Sequence, residues 1–409
     1  MINKSLELLA PAGDMEKLKT AVMYGADAVY FGGELFSLRA SAGNLSIPEI
    51  SEAMEFLHNK GKKGYMTINI YPHNDDISLL RNYIEKLKDI PIDAFLISDP
   101  GVIMLVKDII PNAEIHLSTQ ANTTNYLTAN FWAGQGVSRI VTAREMSLKE
   151  IKEMRENIPE DIEIESFMHG AMCISYSGRC LLSNFMVGRD ANRGACTHPC
   201  RWKYSIIEEK RPGEYYPIEE DAHGSYIMNS RDLCMIDCIP DLVDAGVTSF
   251  KIEGRMKSMY YVATIVAAYR AALDEYIANP SDYVYNEAYF KELCKASHRK
   301  FTHGFYFNKP TSEDQDYISS DYIREYSFVG LVKSEDDGNG YTIVEQRNKF
   351  SVGDTVEIFG PGVPFYEETI VDMRDEDGNP IESAPHPQQK LKIKFNKTPR
   401  EDYIIRMKK

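Results

Sequence analysis

Over roughly the first 270 residues, short β-branched and apolar runs alternate with longer amphipathic runs at helical spacing. That alternation is the signature of repeated strand–helix units whose strands pair in parallel. Strands are predicted at Leu6–Ala10, Ala28–Phe31, Gly64–Ile70, Ala94–Ser98, Glu114–Thr119, Arg139–Thr142, Ile162–Phe167 and Ser249–Glu253. Local signals mark where helices start. Asp14 follows the turn Pro11-Ala12-Gly13 as an N-cap, and Ser46 with Glu49 has capping-box spacing with Pro48 in the first turn. The helix after the last strand should run from about Ser258 to Ala278. Eight strands, each trailed by a helix, suit a closed TIM-like parallel β/α barrel better than an open doubly wound sheet.

The seventh unit is abnormal. Roughly 80 residues, His169 to Gly246, separate the seventh and eighth strands, far beyond an ordinary connection. An insertion at the carboxyl end of a barrel strand sits on the face where barrel active sites lie. Asp232–Asp244 reads as a helix closing it. The pattern therefore divides the chain into a barrel (1–280) with its insertion (169–246), a connector (281–326) with a helix over Asn286–Ser297, and a C-terminal module (327–409). The last reads as short strands at Gly330–Lys333, Gly340–Glu345, Asp354–Phe359, Glu368–Met373 and Lys390–Phe395, broken by turns such as Asp337-Gly338 and Asp377-Gly378-Asn379. A small antiparallel β-barrel or sandwich is expected.

Composition narrows the function classes. A length of 409 residues accommodates one large domain and a smaller one. The net charge of −15 argues against wrapping nucleic acid over the whole surface. A local basic track stays possible, since Gln388–Lys409 holds eight Lys or Arg against two acids. No apolar run reaches membrane-spanning length, and Met1–Glu7 has no signal-peptide pattern, so no membrane and a cytoplasmic location are expected. In that compartment the seven cysteines should be thiols or metal ligands.

Six of those cysteines fall inside the insertion, as Cys173-x6-Cys180, Cys196-x3-Cys200 and Cys234-x3-Cys238. Neighbours such as Gly178, Arg179, Arg189, Arg193 and Arg201 are not those of a buried apolar thiol, and the arginines favour thiolates. Zinc asks for paired knuckles, approached only by Cys196-x3-Cys200 with His198 beside it. An iron–sulfur cluster asks for four thiolates and tolerates loose spacing. Spacing alone admits both.

The segment Met168-His169-Gly170-Ala171-Met172-Cys173 through Ser177-Gly178-Arg179-Cys180 resembles the signature of the peptidase U32 (collagenase-like protease) family. So do Asn192-Arg193-Gly194-Ala195-Cys196, Cys200-Arg201-Trp202, Asn229-Ser230-Arg231-Asp232-Leu233-Cys234, Lys251-Ile252-Glu253-Gly254-Arg255 and the opening Glu7-Leu8-Leu9-Ala10-Pro11-Ala12-Gly13. The resemblance covers nearly the whole chain. It implies an oxygen-independent hydroxylation enzyme carrying a 4Fe–4S cluster on Cys173, Cys180, Cys196 and Cys234, with Cys200 in reserve and Cys238 one helical turn from Cys234. The tail-bearing form resembles the branch that makes 5-hydroxyuridine at the tRNA wobble position. That implies tRNA as a partner, prephenate as oxygen source, and a second U32-family protein as a possible heterodimer partner.

Mouth residues expected at strand ends are Asn69, Gln120, Arg144, His169, Lys251, Glu253 and Arg255. Arg144, Lys251 and Arg255 suit a dicarboxylate, and His169 suits acid–base work. Two other readings stand beside this one. A peptidase would pair His169 with Cys173, although no protease motif is present. A metal-stabilised RNA-binding protein would use aromatics such as Tyr341, Phe350, Phe365, Tyr366 and Tyr403.

Overall fold

The computed structural model describes residues 6–39, 43–173, 175–202, 205–207, 215–217, 231–309, 322–335 and 338–409. The motif residues Asn229 and Ser230 and the predicted turn residue Asp337 lie outside them. Strand and helix alternate as β1 (Glu7–Pro11), α1 (Met15–Met23), β2 (Ala28–Gly32), α2 (Ile47–Asn59), β3 (Lys63–Ile68), α3 (Ile77–Leu87), β4 (Ala94–Ile97) and α4 (Pro100–Ile109). They continue as β5 (Ile115–Leu117), α5 (Tyr126–Gly134), β6 (Arg139–Val141), α6 (Leu148–Glu156) and β7 (Glu163–Ala171). The insertion contributes α7 (Leu182–Val187), β8 (Ser205–Ile207), β9 (Tyr215–Pro217), β10 (Asp232–Cys234) and α8 (Ile239–Asp244). The barrel ends with β11 (Ser249–Ile252) and α9 (Met259–Ala278), followed by α10 (Glu287–Leu293) and β12 (Phe301–Thr302).

Strands β1 to β7 pair in parallel in chain order, and β11 pairs with both β7 and β1, so eight parallel strands close. The expected caps are in place. Asp14 accepts from the Lys17 amide at 2.9 Å, and Ser46 and Glu49 form a reciprocal capping box. The predicted helix Asp232–Asp244 is corrected. Its first three residues are β10, paired antiparallel to β7 with Leu233 opposite Gly170 and Cys234 opposite His169, and only Ile239–Asp244 is helical. Pairing with a barrel strand supplies the backbone hydrogen bonds that a helix would have made internally.

Alternation along the strands sends Leu9, Ala28, Tyr30, Tyr65, Ala94 and Leu96 inward, while a larger apolar layer lies between strands and helices. Charged residues also point inward. Arg139 reaches Glu7 at 2.6 Å, Glu163 at 2.6 Å and Glu165 at 3.1 Å, and Lys251 reaches Glu165 at 2.6 Å. This core of opposite charges fills the barrel interior below the mouth.

The C-terminal module is β13 (Tyr326–Ser334), β14 (Thr342–Gln346), β15 (Thr355–Gly360), β16 (Val363–Thr369), β17 (Met373–Arg374), β18 (Lys390–Ile393) and β19 (Ile404–Lys408). They form one antiparallel sheet in the order β16-β15-β19-β13-β14-β18-β17. The terminal stretch read as a basic track is thus partly a central strand. Arg406 is fully buried and pairs with Glu357 and Glu292, which fastens the sheet to α10. Phe350 and Tyr403 are core residues, so they are not platforms for bases.

Candidate functional site: a cysteine-lined chamber at the barrel mouth

The carboxyl ends of the strands open into a cavity of about 440 Å³. Its floor is Tyr30, Thr67, Leu96, Val141, Phe167 and Lys251, one inward residue from each of six strands. Its roof is the insertion, including Cys173, Cys180, Cys196, His198 and Cys200. Several contacts hold roof to barrel. Arg193 forks onto Asp76 at 2.7 and 3.0 Å, and Asn122 donates to the Ser177 carbonyl at 2.8 Å. Gly178 has φ +74°, and a Cβ there would lie 2.6 Å from the Tyr71 ring, so this approach of roof to barrel depends on glycine.

Four of the five proposed ligand cysteines come together. Cys173, Cys180, Cys196 and the reserve Cys200 all line the chamber, and none of them is buried. The His198 amide donates to the Cys196 sulfur at 3.4 Å. The Arg39 guanidinium has its pKa raised chiefly by Glu253, 2.9 Å away, and to a lesser degree by Cys196. Four accessible thiols, a backbone N–H on sulfur and a neighbouring guanidinium fit the four-thiolate requirement of an iron–sulfur centre. Cys234 is not brought to them. It is buried beside Tyr269, with its sulfur 3.7 Å from the Tyr269 hydroxyl, and it lines a different cavity. Cys238 is also buried and away from the chamber, and Cys294 follows α10.

The cationic residues divide by partner. Lys251 is committed to Glu165 at 2.6 Å and stands 4.4 Å over the Tyr30 ring. Arg255 is buried and donates to Ser37 Oγ at 2.8 Å, to the Leu38 carbonyl at 2.9 Å and to Asn44, so it ties down the loop after β2. Burial lowers the Arg255 pKa to about 10. Glu253 is pushed up by burial, but Arg39 and then Arg144 outweigh that and hold it at about 2. Arg144 lies 4.0 Å over the Phe167 ring and makes no ion pair among the described residues. Lys257, 3.9 Å over the Tyr322 ring, also lines the chamber without an ion pair among the described residues, so Arg144 and Lys257 are the chamber cations open to an incoming anion. Asn69 and Gln120 line the wall as expected.

His169 departs from expectation. Phe167 faces the chamber opposite Lys251, and simple alternation would turn His169 the same way. A register shift between Lys251 and Ile252 places His169 opposite Ile252 and reverses its side. It packs among Tyr261, Tyr269 and Phe301, with Nδ1 3.2 Å from the Tyr269 hydroxyl. Burial, aided by Lys257, lowers its pKa to about 3. The native state therefore keeps it neutral where the unfolded chain takes a proton. As pH falls from about 6.5 toward 3, this residue should cost about 1.4 kcal/mol of stability per pH unit. Urea unfolding of wild type and His169→Gln across that range should give a shallower pH slope for the variant. Equal slopes would count against a buried neutral histidine.

Arg39 was missed in the sequence. It sits in the loop after β2 at φ +67°, and the only available signal was its position at the carboxyl end of a barrel strand.

A sequence profile described as peptidase family U32 matches residues 13–316, and its C-terminal domain profile matches 324–406. The chain belongs to peptidase family U32. This U32 chain is 44% identical over 398 residues to tRNA hydroxylation protein P1 of Bacillus subtilis (strain 168), covering 97% of this chain and 93% of that one. It is 37% identical to tRNA hydroxylation protein P of Escherichia coli (strain K12), over 93% and 91% of the two chains. It is also 32% identical to a protein named collagenase from Porphyromonas gingivalis (strain ATCC BAA-308 / W83), over 90% of each. The U32 profiles meet between residues 316 and 324, next to the expected start of the C-terminal module.

Proposed function

We propose that the chain is a tRNA-modifying enzyme that hydroxylates a wobble uridine to 5-hydroxyuridine without molecular oxygen, using a 4Fe–4S cluster and prephenate. Relatives named for tRNA hydroxylation over nine-tenths of the chain support the RNA substrate and a cytoplasmic setting. The observation that carries the chemistry is the convergence of four accessible thiols on one barrel-mouth chamber. Cys173, Cys180, Cys196 and Cys200 would hold the cluster, with Cys200 taking the place first given to Cys234. When bound, such a cluster supplies one-electron chemistry.

The chain's own residues then position substrate. Arg144, backed by the Phe167 ring, would take a carboxylate of the co-substrate. The Glu253–Arg39 pair and the Lys251–Glu165 pair keep the surrounding charges fixed. Apolar side chains beside the mouth, Tyr176, Leu181 and Trp202, are exposed and would meet a base. Pairing with a second U32 chain remains an expectation of the family resemblance.

Arg144→Ala should raise the KM for prephenate roughly 10–100-fold, the loss of one charged hydrogen-bonding partner, with little change in melting temperature. Arg144→Lys should recover part of it. An unchanged KM would remove Arg144 from the binding role. Peptide hydrolysis is the weaker reading, because His169 faces away from Cys173 and stays neutral in the core. The discriminating experiment is nucleoside analysis of tRNA from cells lacking the chain, with and without re-expression. Restored 5-hydroxyuridine supports the proposal, and unchanged nucleosides with peptide cleavage by the purified protein would replace it.

A further inference from the structure

We infer that Asp237, Cys238 and His303 form a second metal site, separate from the chamber, that takes a zinc ion and leaves one coordination position open. The fold brings these residues together from distant segments. Asp237 and Cys238 lie in the turn between β10 and α8, and His303 directly follows β12. Strands β10 and β12 pair in parallel, Asp232 opposite Phe301 and Leu233 opposite Thr302, so the residues that follow each strand emerge side by side.

The geometry is that of ligands around one point. His303 Nε2 is 3.0 and 3.2 Å from the two Asp237 carboxylate oxygens and 3.8 Å from the Cys238 sulfur. One atom from each residue lies within 4.8 Å of the others. Tetrahedral zinc with bonds of about 2.0 Å to N and O and about 2.3 Å to S has N–O and N–S edges of about 3.3 and 3.6 Å. The observed separations differ from those edges by only a few tenths of an ångström. One nitrogen, one sulfur and one carboxylate oxygen make a borderline-soft set that suits zinc and not magnesium or calcium.

The surroundings match an open zinc site. The Phe307 ring stands edge-on to His303 at 5.4 Å, which fixes the imidazole. Asp237 and His303 border a cavity of about 520 Å³ also walled by Arg231, Tyr285 and Phe290. None of its lining residues belongs to the chamber. With Asp237 and His303 bordering this cavity and Cys238 buried behind them, three protein ligands leave the fourth position to water or an incoming ligand. Cys234, in the wall of the same cavity, then belongs to this half of the insertion and not to the cluster.

The test uses full-length chain in which Cys173, Cys180, Cys196 and Cys200 are all replaced by serine to silence the chamber thiols, treated with chelator and titrated with Co²⁺ and then Zn²⁺. The expected result is about one metal per chain, a thiolate-to-cobalt absorption band that Zn²⁺ bleaches, and loss of that band on Cys238→Ser. His303→Gln and Asp237→Asn, both at exposed side chains, should weaken Co²⁺ binding on the order of 100-fold while leaving the fold intact. As a second measurement, Zn²⁺ should raise the melting temperature of the unsubstituted protein and not that of His303→Gln. No stoichiometric cobalt, or cobalt binding unmoved by all three substitutions, would overturn the site and leave a hydrogen-bonded His–Asp pair only. Iron in the unsubstituted chamber is counted separately, so failure here and failure of the cluster reading are distinguishable.

Discussion

Replacing Cys196 by alanine should abolish tRNA hydroxylation in cells and strip the iron from the anaerobically purified chain, while Cys234→Ala should leave both largely intact. Cys196 is the chamber thiol with the most support around it: an amide on its sulfur, Arg39 nearby, and a roof pinned through Asn192, which donates to the Cys180 carbonyl at 3.2 Å. Removing one of four cluster ligands should cost far more than the about 10–100-fold typical of outer-shell substitutions. Cys234 offers a different environment. Burial pushes its thiol up to about 12, and its strand turns it toward Tyr269. Iron loss on Cys234→Ala, with iron kept on Cys200→Ala, would return the fourth ligand to Cys234.

The largest effect on stability is expected at Arg139. Its side chain is only 4% exposed and joins Glu7, Glu163 and Glu165, and Glu165 has no exposure at all. Arg139→Met removes the shared partner and strands buried carboxylates. A loss of about 3–5 kcal/mol is expected for breaking a buried ion pair on one side. The same network sets an acid limit. Burial pushes the Glu165 pKa up, but Lys251 and then Arg139 overcome it and bring it from 4.5 to about 2. A carboxylate whose folded pKa is depressed stabilises fully above its unfolded value. That contribution is lost as pH falls from 4.5 through about 2. Urea unfolding at neutral pH and near pH 4 checks both statements. A loss under about 1 kcal/mol for Arg139→Met would mean the network behaves as a surface one.

The barrel was legible because each unit carried its own punctuation, such as Asp14 at α1 and the Ser46–Glu49 box at α2. The missed elements were those decided by long-range pairing. Leu233 and Cys234 looked helical until β7 offered them a ladder. Strand β19 was hidden by Arg406, whose charge reads as surface but is matched inside by Glu357 and Glu292. At the site, sequence gathered the cysteines but could not sort them. Cys200 enters the chamber and Cys234 does not, because β10, which carries Cys234, runs antiparallel along β7. His169 was misplaced by one register shift, which no local pattern announces.

The most direct test of the central claim is iron and acid-labile sulfide analysis of the anaerobically purified full-length protein. About four irons and four sulfides per chain are expected, held by the four chamber thiols. A chain free of iron and sulfide, with Cys173, Cys180, Cys196 and Cys200 all open to alkylation, would contradict it.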